Sequence, residues 1–313
     1  MAAIQQFISS AKAAPPKLVR DYLSPTNSHL LSLVLADVLP PQCHPYPGPP
    51  SGSPLPQLPL HGKPLPVGHH LVYFPLQAKP SELSPDGADL DHAPGAPYVR
   101  RLWAGGKMTF LDGWDEVMKL DGRAVVGSEA VADARVVDRG GDSGMVVVNL
   151  KREYGVDGRT AIEEVRRLVF LKGEGATRPP MYSKEKPDYS VSLTPSPALL
   201  FSFSALTYNA HRIHIDPEYA ASESHRAMLV HGPFSAVLLL TVVNSRLTPG
   251  EAVRDFDYRN FRPLYVGEEL TVCVRRTERL EGRGSWEVWI EGVDKAIAVK
   301  GTVATVFKEG AKL

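Results

Sequence analysis

Four of the ten histidines lie in one short part of the chain, at His211, His214, His225 and His231. Histidine is the side chain suited to moving protons near neutral pH, so the clustering bears on chemistry. The stretch "LTYNAHRIHID", Leu206 to Asp216, places Asn209 two residues before His211 and Asp216 two after His214. His231 follows His214 by seventeen residues and opens "HGP", which leads into the apolar run "FSAVLLLTVV".

Three readings fit these residues. His211, His214 and either His225 or His231 could supply three nitrogens to a metal. The pair lacks the glutamate found between the histidines of helical zinc proteases, so no metal and no cofactor are assigned. The same residues could instead be packed or solvated and do no chemistry. The third reading joins three parts. His214 gives or takes a proton, and Asn209 positions a water or a carbonyl. The backbone N–H groups at Gly232 form an oxyanion site at the positive end of a buried helix. Glycine at that position lets a ligand come close to the backbone. This combination suits a reaction beside a thioester carbonyl, where charge develops on oxygen while a proton moves at the α-carbon.

The elements that must hold these groups follow from the hydrophobic pattern. "HGPFSAVLLLTVVNSRL" is apolar on nearly every side, which predicts a buried helix with Pro233 in its first turn. "ALLFSFSALTYNAHRIHID" reads as a strand running into a turn. Four strands are expected after the helix, at "AVRDFDYRNF", "ELTVCVRRTERL", "SWEVWIEG" and "AIAVKGTVATVF". An earlier block follows a similar plan. "SHLLSLVLADVL" predicts a short helix capped by Thr26, Asn27 or Ser28. Strands are expected at "HLVYF", "VRRLWAGGKMTF", "AVVGSEAVADARVVD", "GMVVVNLKREY" and "TAIEEVRRLVFLK", the last two joined by an Asp-Gly turn. One helix wrapped by consecutive antiparallel strands, twice over, predicts an α+β chain in two halves. The halves are drawn at residues 1–172 and 191–313, with a linker at 173–190. Pro40 to Pro66 is too rich in proline for helix or central strand, and Gln77 to Pro97 is a second irregular stretch.

Composition narrows the class. The 313 residues are 43% hydrophobic, with 35 basic and 35 acidic side chains. A net charge of zero argues against nucleic acid or a membrane surface as the partner. No apolar run reaches the ~20 residues of a membrane span. Cys43 and Cys273 are distant and form no CxxC pair, which fits a reducing compartment. The N-terminal stretch places Ile4, Phe7 and Ile8 on one side of an acid-poor segment, compatible with a mitochondrial leader. The final Ala311-Lys312-Leu313 has the small-basic-leucine pattern of a peroxisomal address. Peroxisomal location is the expectation, with a mitochondrial or cytoplasmic one as the alternative.

Taken together, "FSALTYNAHRIHIDPEYA…MLVHGPFSAVLLL" resembles the motif of the MaoC-like hot-dog-fold hydratases and dehydratases. It is most similar to the two-hot-dog hydroxyacyl-thioester dehydratases of type 2 and the mesaconyl-CoA hydratase-like proteins. "GHHLVYF", "RRLWAGGKMTF" and "FDYRNFRPLYVGEEL" extend the resemblance over Leu30 to Val306. It implies a double hot-dog, two antiparallel sheets each wrapped around a central helix. It also implies a hydro-lyase acting on a CoA or carrier-protein thioester, working alone or as a homodimer. On this match His214 takes the place of the catalytic histidine and Gly232 that of the helix-opening glycine. His231 precedes Gly232 as in the family's HG pair. The family pattern departs at Asn209, which stands where an aspartate is expected, and at His211, which stands where an asparagine is expected. Asparagine cannot accept a proton, so Asn209 could only orient a water, leaving His214, aided by His211, as acid and base. Asp216 could orient a histidine or start the next turn. His69 and His70 could border the pocket or end a strand. Arg259 and Arg262 could meet CoA phosphates. The charges of "LKREYG" and "EEVRRLVFLK" are expected in solvent, and Trp286 and Trp289 on opposite faces of one strand.

Overall fold

The computed structural model describes residues 2–44, 61–137, 144–172, 179–280 and 283–307. Ala311-Lys312-Leu313 lie outside the described residues, as does much of the proline-rich stretch. The first half contains helix α1 (Ala2–Ala13), strand β1 (Lys17–Tyr22) and helix α2 (Pro25–Val38). Strand β2 (Arg100–Phe110), the short helix α3 (Trp114–Val117) and strands β3 (Ala124–Val137), β4 (Met145–Val156) and β5 (Arg159–Leu171) follow. The second half contains β6 (Tyr189–Leu193), α4 (Pro197–Thr207), α5 (Pro217–Ser222), α6 (Gly232–Asn244) and β7 (Glu251–Asn260). It ends with β8 (Leu270–Leu280), β9 (Arg283–Glu291) and β10 (Ile297–Phe307).

All ten strands form one antiparallel sheet in the order β1-β3-β4-β5-β2-β7-β10-β9-β8-β6. Read inward from either edge, the two sets of five strands have the same connectivity, so one plan is used twice. The halves join where β2 pairs with β7, from Gly105 opposite Arg259 to Thr109 opposite Asp255. The second set curves around α6, whose residues Phe234 to Val243 are all buried. That accounts for its apolar circumference: no face of the helix meets water. Trp286 and Trp289 do lie on opposite faces of β9. Trp286 joins the main core, while Trp289 packs with Cys273 and Ile297.

Several expectations need correction. "ALLFSFSALT" is helix, not strand. Ser196 caps it by accepting the Leu199 N–H at 3.1 Å, and Pro197 sits in its first turn. Buried Leu199, Leu200, Phe203 and Ser204 have helical spacing, and a period-two reading missed this. The cap of α2 is Ser24, one turn before the residues expected, and Ser28 is buried instead. α4 is the counterpart of α2, and the two pack together. No helix as long as α6 occupies the corresponding place in the first half among the described residues. "HLVYF" is not a strand: His69–Val72 form a 3₁₀ turn, entered through Gly68 at φ 84°. His69 to Phe74 are all buried, so there was no alternation of exposure to read.

The charges of β4 and β5 are not all in solvent. Arg152 shares a strand face with Val146, Val148, Leu150 and Tyr154, and all five are buried. Its Nε lies 3.0 Å from Glu129, which also meets His92 at 2.8 Å. Buried Glu164 accepts from Arg166 at 2.7 Å and from the Tyr154 hydroxyl. Burial of these charges is tolerable because each is paired.

Candidate active site

The site begins where α4 ends. Tyr208 adopts the left-handed conformation and turns the chain. The Asn209 amide oxygen then accepts the His211 N–H at 3.0 Å, closing an Asx turn. A single 3₁₀ turn, Arg212–His214, brings the two histidine rings together edge to face, 5.7 Å apart. Asp216 does not touch a histidine. It caps α5 by accepting the Tyr219 N–H at 3.0 Å and pairs with Arg212.

A second segment crosses this one. Leu229 N–H donates to Ile213 and Val230 N–H to Leu264, fixing the approach to α6. The Leu229 carbonyl accepts from His214 Nδ1 at 2.8 Å. A carbonyl only accepts, so the proton sits on Nδ1 and Nε2 presents a lone pair. His231 stacks on His214 with ring centres 3.8 Å apart, and its Nε2 meets the Ser204 hydroxyl at 2.8 Å. His231 Nδ1 is buried without a partner.

His231 leads directly into α6. Its carbonyl receives the first helical hydrogen bond, from Ser235 N–H at 3.1 Å. The N–H groups of Gly232 and Phe234 therefore have no acceptor within the helix, and Pro233 has none to offer. No side chain caps this end. A methyl on Gly232 would lie 3.0 Å from Asn260 Nδ2 and 3.1 Å from Trp103, so only glycine leaves room over the first turn. Asn260 Nδ2 donates to the Trp103 carbonyl at 2.8 Å, while its Oδ1 is buried without a partner.

The electrostatics keep the rings neutral. Burial, then the neighbouring His211, push His214 down to about 3, against a smaller upward pull from the Leu229 carbonyl. His231 is held well below the ordinary histidine range, by burial first and then by His214 and His211. At neutral pH both are uncharged hydrogen-bonding groups.

A loop of the first half completes the site. Asp86 Oδ2 lies 3.3 Å from His211 Nε2, and the Asp86 carbonyl accepts the Arg212 N–H at 2.8 Å. Burial pushes the Asp86 carboxyl up, but hydrogen bonds from His211, Ser84 and the Ala88 amide outweigh it and hold it below the carboxylate range. Arg101 and Asp89 pair at 3.0 Å close by.

The structure thus brings Asn209, His211, His214, His231 and Gly232 together, and it leaves Arg259 and Arg262 apart from them. Arg259 is exposed on the strand face opposite buried Tyr258. Arg262 is paired with Asp294 at 2.6 Å. His225 lies beside Tyr265, outside the histidine stack. His69 and His70 are buried in the first half, with His69 Nδ1 2.8 Å from the Ser28 hydroxyl. Among the described residues no group of three or more His, Cys, Asp or Glu side chains could hold a metal ion. None of their helices is long and apolar enough to cross a membrane. Sequence reasoning missed Asp86, Arg101, Trp103, Ser204 and Asn260. All but Ser204 lie far from "NAHRIH" in the sequence, and only the fold brings them near.

Known proteins place this geometry in a family. The profile of hydroxyacyl-thioester dehydratase type 2 matches residues 68–266. The chain is 32% identical over 267 residues to mesaconyl-C(4)-CoA hydratase of Chloroflexus aurantiacus, covering 82% of this chain and 87% of that protein. It is 25% identical over 235 residues to the mitochondrial hydroxyacyl-thioester dehydratase type 2 of Schizosaccharomyces pombe, covering 68% of this chain and 78% of the relative. In fold it is similar to a MaoC-like dehydratase of Phytophthora capsici, with a TM-score of 0.64 at 14% identity over 97% of this chain and 99% of the other. HtdX of Mycobacterium tuberculosis gives 0.59 at 16% identity, over 92% and 100%. The repeated five-strand plan is therefore a double hot-dog. The chain belongs to the hydroxyacyl-thioester dehydratase type 2 family and is a hydro-lyase of acyl thioesters.

Proposed function

We propose that the chain adds water across the 2,3-bond of a 2-enoyl-CoA, and removes it from the 3-hydroxyacyl-CoA, with His214 moving the proton. The observation that carries this reading is the His214 Nε2 lone pair, fixed by the Nδ1 bond to Leu229, beside the uncapped start of α6. The thioester oxygen takes the N–H groups of Gly232 and Phe234, where the helix dipole favours the enolate that forms. In hydration, Nε2 accepts a proton from water as oxygen bonds to the β-carbon, and then delivers that proton to the α-carbon. Dehydration runs through the same steps in reverse.

Residues 191–313 carry the proton-moving groups, residues 1–172 support them, and 173–190 connect the two. Arg259 has no side-chain partner among the described residues and is the cation we assign to the CoA phosphates; Arg262 is engaged by Asp294. The Chloroflexus relative supports including a carboxylated acyl-CoA among the substrates. The Schizosaccharomyces pombe relative, mitochondrial by name, supports a mitochondrial location over the peroxisomal one.

The test offers a series of 2-enoyl-CoAs, mesaconyl-C(4)-CoA among them, and follows loss of the conjugated thioester absorbance. His214→Ala lowers kcat by at least ~100-fold, the usual cost of removing a general acid/base. Wild-type turnover in that variant would end the assignment.

A further inference from the structure

The family pattern has a carboxylate at the position of Asn209, and the amide that replaces it is already engaged. Its oxygen accepts the His211 backbone N–H at 3.0 Å, so Asn209 shapes the turn, and an amide cannot take a proton from water. Yet a carboxylate does reach His211. It comes from the other half of the chain, on the loop around Asp86.

We propose that Asp86 is a positioning residue for the reaction: it holds His211 as a hydrogen-bond acceptor, so that His211 and His214 together hold the attacking water. This rests on the hydration reading above.

The argument starts from donors and acceptors. An ionised carboxylate only accepts, so the 3.3 Å contact with Asp86 Oδ2 puts the His211 proton on Nε2. In the neutral ring His211 Nδ1 then carries a lone pair, and it has no hydrogen-bond partner among the described residues. His214 is fixed in the opposite tautomer by Leu229, with its lone pair on Nε2. Two rings with centres 5.7 Å apart, each with a free acceptor, leave a span that one water can bridge. Such a water donates one hydrogen to each ring and keeps its oxygen lone pairs for the β-carbon. As the C–O bond forms, the hydrogen held by His214 transfers to Nε2 and passes on to the α-carbon. The hydrogen held by His211 stays in the product hydroxyl. Beside His214, Arg101 is already paired with Asp89.

The loop is built for this contact. Asp86 Oδ1 accepts from Ser84 Oγ and from the Ala88 N–H at 3.0 Å, leaving Oδ2 for His211. The Asp86 carbonyl takes the Arg212 N–H, and Gly87 follows at φ 80°, packed against the Ala210 carbonyl. A residue serving only the turn would not need Oδ2 aimed at a ring nitrogen.

Asp86→Asn separates charge from shape. The new Oδ1 can still accept from Ser84 and Ala88, so the loop keeps its bonds. The new amide donates to His211 Nε2, forces the proton onto Nδ1, and removes one acceptor from the water. With the full chain and the 2-enoyl-CoA that wild type turns over best, kcat falls roughly 100- to 1,000-fold while KM changes by less than about threefold. Asp86→Glu recovers part of the loss. Nitrogen-15 NMR of labelled histidine shows His211 protonated at Nε2 in wild type and at Nδ1 in Asp86→Asn. Adding Asp86→Asn to His211→Ala costs nothing further.

Wild-type kcat in Asp86→Asn, an unchanged tautomer, or a full additional loss in the double variant each overturn the proposal. If Asp86→Asn does not fold, His211→Ala alone decides: the same kcat loss supports the proposal and wild-type kcat overturns it. A wild type inert toward every thioester defeats the hydration reading and this inference with it. An active wild type with an indifferent Asp86→Asn defeats this inference alone.

Discussion

Gly87→Ala tests whether the first half controls the chemistry of the second. A Cβ at residue 87 would lie 2.1 Å from the Ala210 carbonyl oxygen, whereas ordinary contact begins near 3.4 Å. The loop must therefore retreat by about 1.3 Å, and the obstacle is backbone that cannot rotate away. Gly87 also has φ 80°, which costs an alanine about 1–2 kcal/mol. Losing the bond between Arg212 N–H and the Asp86 carbonyl adds about 1 kcal/mol. Stability then falls by roughly 2–3 kcal/mol, no more, because the loop can detach without opening the core. Activity falls further. A displacement of about 1 Å at a positioning group can cost ~100-fold in rate. Gly95→Ala supplies the control, since Gly95 has φ 79° and nothing within 4 Å of its would-be Cβ. It carries the strain without the collision. The assays are enoyl-CoA hydration, urea unfolding, and hydrogen exchange at the Arg212 amide. Gly87→Ala is expected to lose about 100-fold in kcat and to expose that amide, while Gly95→Ala does neither. Equal behaviour of the two variants would refute the idea that this contact keys the loop to the site.

Gly232→Ala places a methyl 3.0 Å from Asn260 Nδ2 and 3.1 Å from Trp103 Cγ, over the two free N–H groups of α6. kcat should fall roughly 100-fold or more, as for loss of an oxyanion donor. Its unfolding free energy in urea should stay within about 2 kcal/mol of wild type, and near-normal kcat would remove the helix start from the mechanism. Glu164→Gln leaves the Arg166 guanidinium buried without its carboxylate, at an expected cost of about 3–5 kcal/mol in urea unfolding. A change under about 1 kcal/mol would mean that Arg166 finds another partner or water. Acid stability follows from the buried histidines. Burial pushes His69 and His214 down to about 3 and His70 to about 4. Above the unfolded value near 6.5 neither state is charged there, and this stability is fully present. As pH falls below that value the unfolded chain takes up protons that the native chain refuses, so stability is lost down to the folded values. Three such groups give a slope of roughly 4 kcal/mol per pH unit below pH 6. A urea midpoint unchanged between pH 7 and 5 would contradict the burial of these rings.

The parts of the fold with strong periodicity were legible in the sequence. The buried helix at "HGPFSAVLLL" and the four strands after it announce themselves because a long apolar run and sustained alternation have few other solutions. The Asp157-Gly158 hairpin was legible for the same reason: both residues take positive φ, as such a turn demands. α4 was misread because the Ser196-Pro197 start was passed over for the β-favouring look of "LLFSFS". The charges of β4 and β5 were assigned to solvent because one strand does not show what covers it. Arg152 and Glu164 are inside because Glu129 and Tyr154 reach them from neighbouring strands, and Arg166 pairs with Glu164 two residues back on β5 itself. Within the site, His211, His214 and Gly232 were legible because they are close in the chain. Asp86 was not, since a carboxylate in a loop rich in Asp and Gly carries no sign of where the loop will land.

The asparagine at 209 looks like a damaged site only while the second half is considered alone. In the folded chain its amide makes the one bond that the turn needs, and an acceptor oxygen suffices for that. On the proposed mechanism a negative charge at 209 is not required, because Asp86 brings one to His211. Placing that charge on the other half has a consequence. In the proposed mechanism the proton-moving residues sit on one copy of the duplicated plan, and the carboxylate that holds His211 sits on the other. The β2–β7 pairing that makes one sheet of two therefore also holds the loop to the site, through Arg101 beside Asp89 on one strand and Asn260 beside Trp103 across the seam. On that mechanism sheet continuity is a condition of the chemistry, because separating the halves removes the carboxylate from His211 even if each half stays folded.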